Sequence, residues 1–159
     1  MAEPRRLTLF IDGDACPVMA EAIRVAERHG LPVVLVSNQW RRGADHPLVR
    51  QIVVPQGPDK ADDEIVELAA AWDVVISQDI PLAARCVAKG AQVLSPSGKI
   101  LDQDSVGMAK AMRDLMTHLR ETGEMTGGPR PFAARDRSQF LDKLESLIQK
   151  SKRALAAAS

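Results

Sequence analysis

Short apolar runs alternate along the chain with longer segments in which apolar residues recur every three or four positions. Runs of this length, bounded by Gly, Pro, Asn or Asp, are typical of strands buried in a parallel sheet, whereas the longer pattern is typical of helices. We predict five strands at 7–11, 33–36, 51–54, 74–77 and 92–94, with a further short strand over 99–102. A short helical turn is expected over 46–50.

Helix boundaries follow from the capping residues. We predict helices from Pro17 to His29, from Asp59 to about Trp72, over 80–89, from Asp104 to Gly123, and from about Ser138 to Lys150. Strands that alternate with helices predict an α/β domain, a three-layer α/β/α fold with a mainly parallel sheet of about five strands. Residues 1–150 form this single domain, and residues 151–159 are expected to be a flexible tail.

The composition is that of an ordinary globular protein. The chain has 159 residues, 26% charged and 45% hydrophobic, with no net charge, which suits one domain with one substantial core. Residues 1–104 carry 11 Lys and Arg against 15 Asp and Glu, and residues 105–159 carry 10 against 6. Two cysteines without a CxxC argue against a disulfide framework or zinc ribbon, and no leader or membrane-length apolar run is visible. A cytoplasmic protein that does not bind membranes is expected.

Acidic residues follow several predicted strands. Asp12 and Asp14 come directly after the first strand and Asp79 after the fourth, while Asp59, Asp62 and Asp63 open the helix after the third. The carboxyl ends of parallel strands share one edge of a sheet, where ligands bind. Carboxylates that converge there form an oxygen-only site suited to Mg²⁺ or Mn²⁺. Helix capping alone would explain Asp59 or Asp79 taken singly, and Asp63 fits a solvated first turn.

Candidate substrate-binding residues are weaker signals. Asn38 ends the second strand, Arg41 and Arg42 follow Trp40 in a polar loop, and Thr126, Gly127 and Gly128 form a turn that presents backbone N–H groups to a phosphate. Arg113 lies on the long helix beside Asp114. Each has a simpler alternative. Asn38 fits a turn residue, and Arg41 and Arg42 fit a solvated loop with a partly buried Trp40. The turn at 126–128 fits a loop breaker, and Arg113 fits a local ion pair with Asp114.

Nucleophilic cysteine chemistry is disfavoured. Cys16 lies between a strand and a helix, but a cysteine phosphatase requires an arginine six residues later, where this chain has Ala22. The three histidines make no HExxH motif, and no P-loop or GxGxxG follows a strand.

Several ordered motifs resemble one bacterial family. They are DGDACP at 12–17, GPDKAD at 57–62, DIPLA at 79–83, MRD at 112–114 and TGGP at 126–129. In this order they resemble the uncharacterised YaiI/YqxD family over most of the chain. The departures are Gly13 for the usual Ala, Ser77 and Gln78 for Thr and Ala, and Ser97 where Arg is common.

The resemblance implies more than the residues do by themselves. The family is thought to be similar to PIN-like nuclease domains, which bind Mg²⁺ or Mn²⁺ through strand-end acids and hydrolyse RNA. On that similarity Asp12, Asp14, Asp62 and Asp79 are the metal ligands, with Asp12, Asp14 and Asp79 at the catalytic centre and Asn38 as an accessory residue. The expected partner is nucleic acid, in particular RNA, and a homo-oligomer stays open.

Three functions compete. The first is a metal-dependent nuclease in which activated water attacks the phosphodiester. The second is a haloacid-dehalogenase-like phosphohydrolase in which Asp12 is the nucleophile and Asp14 the acid/base, although Lys89 and Lys99 fit its required lysine poorly. The third is a non-catalytic nucleic-acid-binding module, suggested by the basic C-terminal part and by Arg41 and Arg42.

Overall fold

A computed structural model describes residues 7–13, 16–57, 59–108 and 132–158 of the chain. The strands in these ranges are β1 (Leu9–Asp12), β2 (Val33–Ser37), β3 (Val49–Val53), β4 (Val74–Ile76), β5 (Gln92–Leu94) and β6 (Ile100–Leu101). The helices are α1 (Met19–His29), α2 (Lys60–Leu68), α3 (Ile80–Ala88), α4 (described over 103–108) and α5 (Ala134–Ala158).

The strands form one six-stranded sheet in the order β3-β2-β1-β4-β5-β6. The first five strands are parallel, and β6 pairs with β5 in the antiparallel sense. The prediction of an α/β fold with a mainly parallel sheet is therefore confirmed. The third strand begins two residues earlier than predicted, because Val49 pairs with Val33 at the start of β2. The helical turn expected over 46–50 is wrong, since residues 47–48 form only a turn that leads into this strand.

Both faces of the sheet are covered, as a three-layer fold requires. Leu9 and Ile11 of β1 lie in a buried cluster with residues of α1 and α5, whereas Phe10 lies in a second cluster with residues of α2 and α3. Successive side chains of a strand point to opposite faces, so a strand covered on both faces needs an unbroken apolar run. This need explains why β1 has no polar residue before Asp12.

Helix α5 continues through most of the segment expected to be a flexible tail. It begins at Ala134, four residues before the predicted start, and ends at Ala158. Ser151 is fully buried and donates a hydrogen bond to the Trp72 backbone oxygen at 2.6 Å. The apolar stripe that predicted this helix ends at Ile148, but alanine is the best helix former and occupies four of residues 154–158.

Helix α4 begins at residue 103, earlier than predicted from Asp104. The Asp102 carboxylate accepts the Ser105 backbone N–H at 2.8 Å and so caps the helix, which makes Asp104 a first-turn residue. The rest of the predicted long helix lies outside the described residues. The same holds for Asp14, Arg113, Thr126, Gly127 and Gly128.

No helix in the described ranges combines the length and the apolar character needed to cross a bilayer.

Gly98 lies in the turn between β5 and β6, where this turn packs closely against helix α5. Replacement of Gly98 tests the contact between the turn and the helix. Gly98 has φ +89°, and an added Cβ would lie 2.6 Å from the Gln139 backbone carbon. Alanine at this position would strain the backbone, which is in the left-handed region, and would also clash with α5. Because the two costs are additive, we expect Gly98→Ala to lower the free energy of unfolding by roughly 3 kcal/mol.

The matched control is Gly30→Ala. Gly30 ends α1 at φ +68° with nothing within 4 Å of an added Cβ, so only backbone strain of about 1 kcal/mol is expected. Urea unfolding of both variants measures the difference. Equal losses would contradict the close approach of α5 to the turn.

Candidate functional site

The carboxyl ends of β1 and β4 lie side by side in the middle of the sheet. The strand order runs outward from β1 to β2 and β3 on one side and to β4 and β5 on the other. Helix α1 covers one face of the sheet and helices α2 and α3 cover the other. In open α/β sheets, ligands bind outside the carboxyl ends of strands at such a change of face. Asp12 ends β1, and Ser77 and Asp79 follow β4, so two of the three predicted strand-end acids lie at this position, while Asp14 lies outside the described residues.

Ser77 connects the two strand ends. Its hydroxyl donates to Asp12 Oδ2 at 3.0 Å and accepts the Asp79 backbone N–H at 3.0 Å. Its own backbone N–H donates to the Leu94 oxygen of β5 at 3.1 Å. Ser77 is only 3% exposed, so these bonds form in a region from which water is largely excluded. The Asp12 carboxylate is therefore held in a fixed position at the end of β1.

Asp79 is the N-cap of helix α3. Its Oδ1 accepts the Leu82 backbone N–H at 2.9 Å, and proline occupies the first turn. Helix capping, which is the alternative role that the sequence offers for Asp79, thus accounts for one oxygen of its carboxylate. The same bond fixes the side chain at the end of β4, next to Ser77.

Asp62 brings a third carboxylate to the same position from the first turn of α2. Its pKa is raised from 3.8 to about 6, first by burial and then by the negative charges of Asp79, Asp12 and Asp59. Arg85 acts in the opposite direction. Asp62 therefore shares one electrostatic environment with the ends of β1 and β4, and we call Asp12, Asp62 and Asp79 the acidic edge.

The neighbouring acids of α2 are placed differently. Asp63 is exposed, and its Oδ1 accepts from Arg85 Nη1 at 2.8 Å, which directs it towards α3. Asp59 is the N-cap residue of α2, as predicted, but its side chain makes no capping hydrogen bond. It adopts φ +65°, a conformation that non-glycine residues rarely take and that is often found at functional sites.

The chemistry of the acidic edge suits a hard divalent cation, because every donor is a carboxylate oxygen. A cation there would also offset the repulsion that raises the pKa of Asp62. Within the described ranges, which exclude Asp14, no three side chains of His, Cys, Asp or Glu are grouped closely enough to hold a metal ion. The donor types therefore fit Mg²⁺ or Mn²⁺, while the described carboxylates alone do not make a closed metal site.

The loop after β2 begins at the same edge of the sheet. Asn38 follows Ser37, the last residue of β2, and is partly buried, whereas Arg42 is exposed. The backbone N–H and C=O of Arg41 both bond to the Gln51 side chain of β3, each at 3.0 Å. Trp40 is 61% exposed, so the expectation of a partly buried indole is wrong. Three of the predicted substrate-binding residues thus lie on the loop that begins at the same edge of the sheet as Asp12.

Two alternative chemistries gain no support from the positions of their residues. Burial raises the pKa of the Cys16 thiol to about 11, so it stays protonated at neutral pH and is a poor nucleophile. Lys89, one candidate lysine for an aspartyl phosphohydrolase, donates instead to the Val66 backbone oxygen at the far end of α2. Lys89 therefore does not serve as the lysine that an aspartyl phosphohydrolase would need beside Asp12.

Two residues of the site were not predicted from the sequence. The sequence predicts Ser77 only as the end of a strand and Gln51 only as the start of another, whereas in the structure Ser77 positions Asp12 and Gln51 braces the loop. A polar residue that follows a fully apolar strand by one position was the available signal for Ser77. No local pattern marks Gln51, because its partner lies ten residues earlier in a loop.

Comparison with known proteins yields one family. The model of the uncharacterised YaiI/YqxD family matches residues 10–150. A UPF0178 protein of Parvibaculum lavamentivorans is 56% identical over 145 residues, which cover 91% of this chain and 95% of that protein. A UPF0178 protein of Gluconacetobacter diazotrophicus is 53% identical over 152 residues, covering 96% and 99%. No solved structure matches the chain.

The electrostatics of the acidic edge can be tested through stability. A carboxyl group whose folded pKa lies above its unfolded value destabilises the folded state as the pH rises through that interval. For Asp62 the interval runs from 3.8 to about 6. We expect Asp62→Asn to be more stable than the wild type at pH 8, with a difference that shrinks as the pH falls towards 4. Urea unfolding in EDTA measures it.

Asp63→Asn is the matched control for Asp62→Asn, because Asp63 is the next residue but pairs with Arg85. It should give no gain at pH 8. A pH-independent effect of Asp62→Asn would contradict the raised pKa.

Proposed function

This chain belongs to the uncharacterised YaiI/YqxD family, and we propose that it is a nuclease that depends on a divalent metal ion and hydrolyses phosphodiester bonds of RNA. The observation that carries the proposal is the convergence of acids at the ends of β1 and β4, where Ser77 bonds to both the Asp12 carboxylate and the Asp79 backbone N–H. The pKa of Asp62 is raised there, first by burial and then by the charges of Asp79 and Asp12. Three separate elements, β1, the end of β4 and α2, supply these acids. Repulsion of this kind is unfavourable for folding and is typical of catalytic sites.

Mg²⁺ or Mn²⁺ is the proposed cofactor. Asp12, Asp62 and Asp79 would hold it, together with Asp14, which follows Asp12 by two residues. When bound, such an ion activates a water molecule and offsets negative charge on the phosphodiester.

The protein residues around the ion would position the reacting groups. Ser77 fixes the Asp12 carboxylate, and the cap of α3 fixes that of Asp79, so neither must reorient when substrate arrives. Asn38 and Arg42, on the loop that begins at the same edge, would bind phosphate oxygens on the strand being cut. Arg113 and the turn at 126–128 are further candidates on the resemblance.

RNA is proposed over other phosphodiesters because of the resemblance to PIN-like nuclease domains. A chain with no net charge does not attract nucleic acid through its overall field, so local groups must bind the substrate. The arginines of the loop after β2 are such groups, and they lie outside the acidic edge.

Cleavage of RNA by matched variants tests the proposal. We expect wild-type protein with Mn²⁺ to cut a generic single-stranded RNA, and Asp12→Asn to lose roughly a hundredfold or more of that activity. Removal of the ion with EDTA should abolish cleavage. Denaturing gels of end-labelled RNA, with every variant purified in the same way, measure the rate.

Asp63→Asn should retain activity within about threefold, because that carboxylate pairs with Arg85 outside the acidic edge. Absence of wild-type cleavage, or equal cleavage by wild type and Asp12→Asn, would rule out the nuclease. RNA binding that is unaffected by EDTA and by Asp12→Asn, without cleavage, would instead favour a non-catalytic binding module.

A further inference from the structure

Trp40 is the most exposed aromatic residue of the chain. The protein has two Trp, three Phe and no Tyr, and among these Trp40 is 61% exposed, Phe132 is 36% exposed, and Phe10 and Phe140 are buried. An exposed indole offers a ligand a large, rigid apolar surface with a polar N–H at its edge. Nothing in the packing of the core requires it, because the loop that carries it lies beyond the end of β2.

The backbone on both sides of Trp40 is held in place. On one side the buried Ser37 hydroxyl donates to the Gln39 oxygen at 2.6 Å. On the other side the Gln51 amide accepts from the Arg41 backbone N–H and donates to the Arg41 backbone oxygen. Trp40 is therefore presented to solvent from a fixed loop, which lowers the entropy lost when a ligand covers it.

The charges around Trp40 favour an anionic ligand. Arg41, Arg42 and Arg50 lie on the loop and on the neighbouring edge strand β3, against the single acid Asp45. Arg42 and Arg50 are exposed. An exposed indole between arginines is the combination with which proteins bind single-stranded nucleic acid, since the ring stacks on a base while the cations contact the backbone.

The distance to the acidic edge is short. Asp12 pairs with Val36 of β2 at a spacing of about 5 Å, and Trp40 lies four residues beyond Val36, at most roughly 14 Å further, so Trp40 lies within roughly 19 Å of Asp12. A strand of RNA with one phosphate at the acidic edge would therefore pass Trp40 within a few nucleotides.

We propose that Trp40, with Arg42 and Arg50, forms a subsite that stacks an unpaired base of single-stranded RNA beside the acidic edge. The choice of RNA rests on the proposed nuclease function, but binding at this subsite does not require cleavage. An unpaired base is needed, because the bases of a duplex are already stacked on one another. The subsite would select single strands and fix where the backbone is cut relative to the stacked base.

Binding of labelled RNA measures the role of the indole. A fluorescently labelled single-stranded RNA of about 12 nucleotides suits such sites. Anisotropy titrations are performed in the Asp12→Asn background, so that binding is observed without cleavage. Replacement of Trp40 by Ala should weaken binding by roughly fivefold or more, whereas Trp40→Phe keeps an aromatic face and should stay within about threefold. Val53→Ala, at a 48% exposed apolar position of the same edge strand, is the control and should have no effect.

RNA that lacks bases separates stacking from other effects of the substitution. The same RNA with abasic nucleotides should bind equally to proteins with Trp40 and with Ala at this position. RNA binding should also quench tryptophan emission, and Trp40→Phe should remove the quenching. The remaining Trp72 precedes β4 and therefore lies at the opposite edge of the sheet from Asp79.

Four results would overturn the subsite: no RNA binding by the parent protein, equal binding by Trp40→Ala, the same effect of Trp40→Ala on abasic RNA, or no quenching.

If Trp40→Ala instead changes the oligomeric state in sedimentation while RNA affinity is unchanged, Trp40 is a contact between copies of the chain. Failure of the nuclease is distinguishable, since it appears as base-dependent binding through Trp40 without Asp12-dependent cleavage. Cleavage that requires Asp12, with binding indifferent to Trp40, contradicts the subsite alone.

Discussion

Burial of β1 on both faces is the constraint on which the rest of the structure depends. Leu9, Phe10 and Ile11 lie between two apolar clusters, one formed with α1 and α5 and the other with α2 and α3. A charged residue within this run would lie in a low-dielectric core, so the first acid can appear only where the strand leaves the sheet. The parallel pairing of β1 with β2 and with β4 then brings the ends of three strands to one edge.

Acids at the two edges of the sheet show two different solutions to the burial of charge. Asp73, just before β4, is fully buried, and its two oxygens accept the Thr8 and Ala70 backbone N–H groups, each at 3.1 Å. Such a carboxylate stabilises the fold by joining β1 to β4. At the other edge, burial and then the negative charges of Asp79 and Asp12 raise the pKa of Asp62. The unfavourable placement is confined to the edge where ligands bind in folds of this kind.

The acidic edge and the loop with Trp40 are linked through β2. The strand pairs with β1 residue by residue up to Asp12, and its last residue, Ser37, then braces the turn that leads to Trp40. On the far side, Gln51 of β3 holds the same loop through both backbone groups of Arg41. A charged centre and an exposed aromatic ring are thus carried by neighbouring strands of one rigid sheet. Their separation is set by the pairing of the strands.

The sequence by itself determined the fold class, the five parallel strands and the acids at their ends, because each depends on local patterns: apolar runs, helical spacing and acids at element boundaries. Only the tertiary structure decided which acids share one environment. Asp62 and Asp63 are adjacent in sequence, yet one faces Asp12 and Asp79 while the other pairs with Arg85. The role of Ser77 and the burial of Ser151 near the end of α5 likewise depend on partners far along the chain. Local patterns report what a segment prefers, whereas electrostatic and hydrogen-bonded partners are fixed when distant segments pack together.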